Sequence, residues 1–102
     1  MEVIEIKNNI EKILDSNKAQ NITTIDLKNK SYIADYMIVA SGTSSRHLQS
    51  LSEILVSELK KLGLNNCRME GKDSSDWKLV DAYDVIAVSY THLTLPTTDR
   101  GV

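Results

Sequence analysis

The chain has 102 residues, a formal net charge of −2 at pH 7 and one cysteine. This length fits a single domain with one hydrophobic core and is too short for two. The weakly acidic charge excludes proteins that hold nucleic acid through a basic surface, so we expect no direct nucleic-acid specificity. A lone cysteine forms no internal disulfide, which favours the cytoplasm. No apolar run approaches the roughly 20 residues of a membrane span, so we expect no membrane association.

The first half of the sequence predicts one helix and two strands. In residues 2–16, apolar residues recur every three or four positions, which predicts an amphipathic helix. Residues 22–27 predict a strand near a sheet edge, with Ile25 and Leu27 on one face and Asp26 on the other. Residues 36–40 are continuously apolar and predict the central strand, covered on both faces.

The second half predicts a long helix and three more strands. Small polar residues at 41–44 end the central strand and can cap a helix, whose leucines continue at helical spacing to Gly63. Residues 66–70 predict a strand parallel to the central one after a right-handed crossover. A polar turn at 71–75 leads to strands at 77–81 and 85–88. The sequence therefore predicts an α/β fold, with a mixed sheet of about five strands and helices packed on it.

The sequence predicts no catalytic residue, no metal site and no cofactor. Residues 41–45 could hold a phosphate, but no P-loop lysine accompanies them, and ordinary capping explains them. A nucleotidyltransferase needs paired carboxylates for two metal ions, and the strand after the helix offers only Glu70. His47 lacks an evident carboxylate partner and predicts a surface residue. Cys67 predicts a buried small residue, although a cation follows it in the sequence.

Trp77 is the only tryptophan of the chain, and its orientation stays open. The charged neighbours Asp76 and Lys78 indicate that one face of this strand meets water. Alternation places Trp77 on the same face as Leu79, which favours burial, and Asp81, which favours the surface. An outward Trp77 is the best single anchor for a protein partner.

Three ordered motifs resemble the ribosomal silencing factor family (RsfS, also called Iojap-like). They are IADYMIVASGTSSR at 33–46, EG at 70–71 and WKLVDAYDV at 77–85, within a likeness that covers about residues 2–88. The resemblance implies a homodimeric α/β protein, nucleotidyltransferase-like without the metal-binding acids. It also implies binding to the large ribosomal subunit through ribosomal protein uL-fourteen. The bound protein would block subunit joining and repress translation by occupancy, and it would not be an enzyme.

Motif positions of the family divide into scaffold and contact residues. We assign structural roles, through turns and caps, to five residues: Asp35, Gly42, Ser44, Arg46 and Gly71. Five others lie on or beside the final strands, where acidic side chains would complement a basic ribosomal protein. These predicted partner-binding residues are Glu70, Trp77, Asp81, Tyr83 and Asp84.

The sequence departs from the family after Val88. The family would continue with a terminal helix, whereas residues 89–102 read SYTHLTLPTTDRGV, which is rich in threonine and contains Pro96. We therefore predict a family domain at 1–88 without its C-terminal helix, and an irregular, linker-derived tail at 89–102. Loss of that helix would expose apolar sheet surface.

Two other functions stay open from the sequence. One is a nucleotidyltransferase-like nucleotide-binding protein that uses residues 41–46. The other is a dimeric adaptor without ribosome affinity.

Overall fold

The computed structural model describes residues 1–91, which form two helices and five strands. In chain order they are α1 (Val3–Ser16), β1 (Gln20–Asp26), β2 (Tyr36–Gly42), α2 (Ser45–Lys61), β3 (Arg68–Glu70), β4 (Trp77–Ala82) and β5 (Val85–Thr91). Of the tail predicted at 89–102, residues 92–102 lie outside the described residues. Neither helix has the length and hydropathy needed to cross a lipid bilayer.

The five strands form one mixed sheet in the order β1-β2-β5-β4-β3. β2 and β5 are parallel, and the other neighbouring pairs are antiparallel. It follows that β3 runs in the direction of β2, as predicted, although two strands separate them. The α/β prediction of a mixed sheet of about five strands is thus confirmed.

Both helices pack on the same face of the sheet. Every second residue of β2, β4 and β5 points at them and is buried, because side chains alternate between faces along a strand. The apolar stripe of α1 contributes Ile6, Ile10 and Leu14, and that of α2 contributes Leu51, Leu55 and Leu59. These helix and sheet residues join in a single hydrophobic core.

The structure corrects two details of the predicted strands. β5 rather than β2 is the central strand, because the last strand inserts between β2 and β4. β2 is fully covered on one face only, since Met37 and Val39 point away from the helices and are half-buried. In β1, Ile25 also points away from the helices and is 42% exposed.

The final strand is longer than predicted. β5 was expected to end at Val88, but it continues to Thr91 because Ser89 and Tyr90 still pair with β2 on one side and β4 on the other. Residues 89–91 are therefore not irregular. The division of the chain into a family domain and a linker-derived tail stays a prediction.

Candidate interaction surface

One face of the sheet is left without a helix among residues 1–91. We call it the open face. It is lined by alternate residues of all five strands, which the cross-strand register places side by side. Its apolar members form a continuous strip: Ile25, Met37, Val39, Leu79, Ile86, Val88, Trp77 and Tyr90. Most of them are half-buried and two are exposed, so the face presents apolar surface of the kind that marks interaction sites.

Three of the five predicted contact residues lie on the open face. In the strand register, Asp81 of β4 lies opposite Ile86 of β5 and Arg68 of β3, and Glu70 lies opposite Leu79. Trp77 is the first residue of β4. The sheet therefore places an indole and two carboxylates around the apolar strip, on one surface.

The other two predicted contact residues lie at the end of the sheet. Tyr83 and Asp84 form the tight turn between β4 and β5, and both are exposed. Tyr83 has a φ of 61°, a left-handed conformation uncommon for a bulky residue. The carbonyl of Asp84 accepts hydrogen bonds from the backbone N–H groups of Asp35 (2.7 Å) and Tyr36 (3.2 Å), which fixes the turn against β2.

The acidic side chains of the open face are free of ion pairs within residues 1–91. The ion pairs in this part of the chain join Lys7 to Glu11 and Lys61 to Glu58, all on the helices.

The negative charge of Asp81 affects the nearby thiol of Cys67. Burial raises the pKa of the Cys67 thiol, and the nearby Asp81 carboxylate raises that pKa further.

Trp77 is 44% exposed and stacks on the loop that precedes it. A Cβ added to Gly71 would lie 2.7 Å from the six-membered ring of the indole, so the ring covers this glycine closely. Gly71 also has a φ of 77°, which other residues adopt rarely. Trp77 is therefore at the rim of the open face, partly packed and partly accessible.

The sequence did not identify Lys78 as a site residue. Its charge was interpreted as a sign that one face of the strand is exposed to solvent. Lys78 points toward the helices and is only 3% exposed. Its Nζ donates to the carbonyl oxygens of Gly71 (3.0 Å) and Lys72 (2.8 Å). Alternation with the buried Val80 and Ala82 was the signal that could have identified this orientation.

The start of α2 is organised by capping. Ser44 is the N-cap, and its hydroxyl accepts a hydrogen bond from the backbone N–H of His47 (3.0 Å). The His47 ring is not a free surface group, because its Nδ1 accepts from Thr43 N–H (3.0 Å) and its Nε2 donates to the carbonyl of Asn17 (2.9 Å). Arg46 is exposed in the first turn of the helix.

The two remaining scaffold residues act through the backbone. A Cβ at Gly42 would lie 2.8 Å from Leu48 Cδ2, so the strand approaches α2 where only glycine fits without displacement. Asp35 joins β2 to its neighbours, since its N–H donates to Asp84 and its carbonyl accepts from Leu27. No group of three or more potential metal-ligating side chains occurs in residues 1–91.

Comparisons with known proteins agree on one family. The sequence profile of the family described as "Ribosomal silencing factor during starvation" matches residues 1–91. The chain is 42% identical over 73 residues to ribosomal silencing factor RsfS of Zymomonas mobilis. This match covers 72% of the present chain and 55% of that relative. It is 41% identical over 68 residues to RsfS of Haemophilus influenzae, with 67% of each chain covered.

A solved structure shows the same fold. A crystal structure of a protein from Chromobacterium violaceum superposes with a TM-score of 0.85 at 32% sequence identity, and covers 89% of this chain and 76% of that one. The chain thus spans little more than half the length of the Zymomonas relative and about three quarters of the crystallised protein.

Proposed function

The chain belongs to the ribosomal silencing factor (RsfS) family, and on that premise we propose that it binds the large ribosomal subunit in the cytoplasm. The partner on the subunit is ribosomal protein uL-fourteen, and the bound protein prevents the small subunit from joining. Translation is thereby repressed. The protein acts as a homodimer and by occupancy, so no bond is made or broken.

The observation that carries this proposal is the composition of the open face. An apolar strip is flanked by Trp77 and by the carboxylates of Glu70 and Asp81, which form no ion pair within residues 1–91. Interfaces commonly combine an apolar centre that supplies affinity with a polar rim that orients the partner. Acidic groups in the rim complement the basic surface expected of a ribosomal protein and disfavour acidic partners.

Steric exclusion of the small subunit requires only a rigid domain bound at the subunit interface of the large subunit. The five-stranded sheet is held by one core, so the side chains of the open face have fixed relative positions. A domain of this size that docks at the surface where the subunits meet would exclude the small subunit sterically. Regulation of translation by this route would require no catalytic step.

The test is co-sedimentation with isolated large subunits, followed by an assay of subunit joining. The parent chain should pellet with large subunits and reduce the yield of joined ribosomes. Asp81→Lys should weaken binding by about tenfold or more, because it places a cation opposite a basic partner. The matched control is Asp15→Lys, which makes the same charge change at an exposed position on α1, in the helical layer.

Two results would contradict the proposal. A parent chain that stays in the supernatant would rule out ribosome binding by this chain, and self-association in sedimentation velocity would then favour the dimeric adaptor. Equal binding by the Asp81→Lys and Asp15→Lys variants would remove the open face as the contact surface.

A further inference from the structure

We propose that Lys78 is a positioning residue for partner binding. Its buried ammonium group fixes the loop of residues 71–76, and this 71–76 loop holds the Trp77 indole at the open face. The use of Trp77 as a contact rests on the proposed function. The coupling between Lys78 and Trp77 rests on the contacts of the described residues alone.

The burial of Lys78 requires an explanation that packing does not give. The side chain is 3% exposed, and the ion pairs within residues 1–91 involve other residues. Burial of an ammonium group is costly unless hydrogen bonds compensate the lost hydration. Here the carbonyl oxygens of Gly71 and Lys72 provide two such bonds, so the lysine and the loop stabilise each other.

The 71–76 loop in turn determines where the indole lies. The carbonyl of Gly71 that binds Lys78 also accepts from Ser74 N–H (3.0 Å). The Ser74 hydroxyl accepts from the backbone N–H groups of Asp76 (3.1 Å) and Trp77 (3.2 Å). Gly71 itself forms the surface on which the indole stacks. Gly71 therefore contacts both the ammonium group and the indole, and Ser74 adds a second link from Gly71 to the backbone of Trp77.

Lys78 exerts this effect from the opposite side of the sheet. Trp77 and Lys78 are consecutive in β4, so their side chains point to opposite faces. A partner on the open face would touch Trp77 and could not reach the ammonium group. A substitution at Lys78 therefore changes the position of Trp77 without removing a contact made by the partner.

The test uses the single tryptophan as its own reporter. Lys78→Met keeps an apolar stem and removes the ammonium group, and Lys78→Gln is a second variant whose shorter side chain cannot span both carbonyls. The matched control is Lys7→Met, which removes a half-buried lysine paired with Glu11 on α1, away from the loop. Far-UV circular dichroism identifies the variants that are folded. Trp77 emission, acrylamide quenching and binding to large subunits are then measured.

Both Lys78 variants should show a red-shifted Trp77 emission. Quenching by acrylamide should increase by about twofold, because an indole that is 44% exposed would approach full exposure. Affinity for large subunits should fall by about tenfold, since binding must then order the Trp77 indole and the 71–76 loop. The Lys7→Met variant should resemble the parent in all three measurements.

The possible failures are distinguishable. Parent-like Trp77 fluorescence in a folded Lys78 variant would overturn the positioning role, whatever the ribosome assay shows. Altered fluorescence with parent-like affinity would also overturn it, because the position of the indole would then not matter for binding. Failure of the parent chain to bind large subunits would instead overturn the proposed function and leave the fluorescence result to decide the coupling.

Discussion

Replacement of Trp77 by alanine provides the most direct measure of the open face. A tryptophan side chain buries up to about 250 Å². Because Trp77 is 44% exposed, about 110 Å² of this area remains available to a partner. At about 25 cal/mol per Å², its burial contributes about 2.7 kcal/mol, which corresponds to a loss of affinity of about 100-fold in the variant.

The assay is quantitative pelleting of the variant with isolated large subunits over a range of subunit concentrations. The control is Leu62→Ala, which removes an equally exposed apolar side chain (43%) at the end of α2, in the helical layer. The variant is compared with the parent only after circular dichroism shows that it is folded, because alanine also removes the packed part of the indole. An affinity within about twofold of the parent would refute the reasoning, since it would show that the partner does not cover Trp77.

Three further outcomes are expected. Gly42→Ala should lower the free energy of unfolding by about 1–3 kcal/mol in thermal denaturation, because the new Cβ would lie 2.8 Å from Leu48 Cδ2; an unchanged melting temperature would contradict this close approach. Ser44→Ala should cost about 1 kcal/mol in urea unfolding through loss of the α2 cap. Asp81→Asn should lower the pKa of the Cys67 thiol, because the carboxylate raises it. Iodoacetamide should therefore alkylate the variant faster than the parent at the same mildly alkaline pH, and equal rates would exclude this electrostatic contact.

The helices and their buried faces could be predicted because local periodicity encodes them. Residues Ile6, Ile10 and Leu14 of α1 are spaced by four, and all three are buried in the structure. The cap at Ser44 was also predictable, since a hydroxyl before a helix satisfies a free backbone N–H. These features depend on neighbours within about one helical turn.

Strand order could not be predicted in the same way, because a strand sequence does not specify its neighbours. The apolar run of β2 fits a strand with two covered faces, yet both helices lie on one side and leave Met37 and Val39 half-buried. The environment of Lys78 is equally non-local, since it depends on carbonyl groups six and seven residues away that the 71–76 loop folds back toward it. For Trp77, alternation gave the correct companions, Leu79 and Asp81, but the absence of a helix on their face, within residues 1–91, decided its exposure.

The dimensions of the open face support the inclusion of the β4–β5 turn in the proposed contact. Five strands have four spacings of about 4.8 Å, which gives a width of roughly 19 Å, and six residues at about 3.3 Å give a length of roughly 20 Å. The resulting area of about 380 Å² is smaller than the roughly 800 Å² per partner of a standard interface. Tyr83 and Asp84 extend this surface beyond the end of β4 and are exposed. A partner seated on the apolar strip would therefore need contacts beyond the sheet to form an interface of ordinary size, and the turn offers exposed side chains for them.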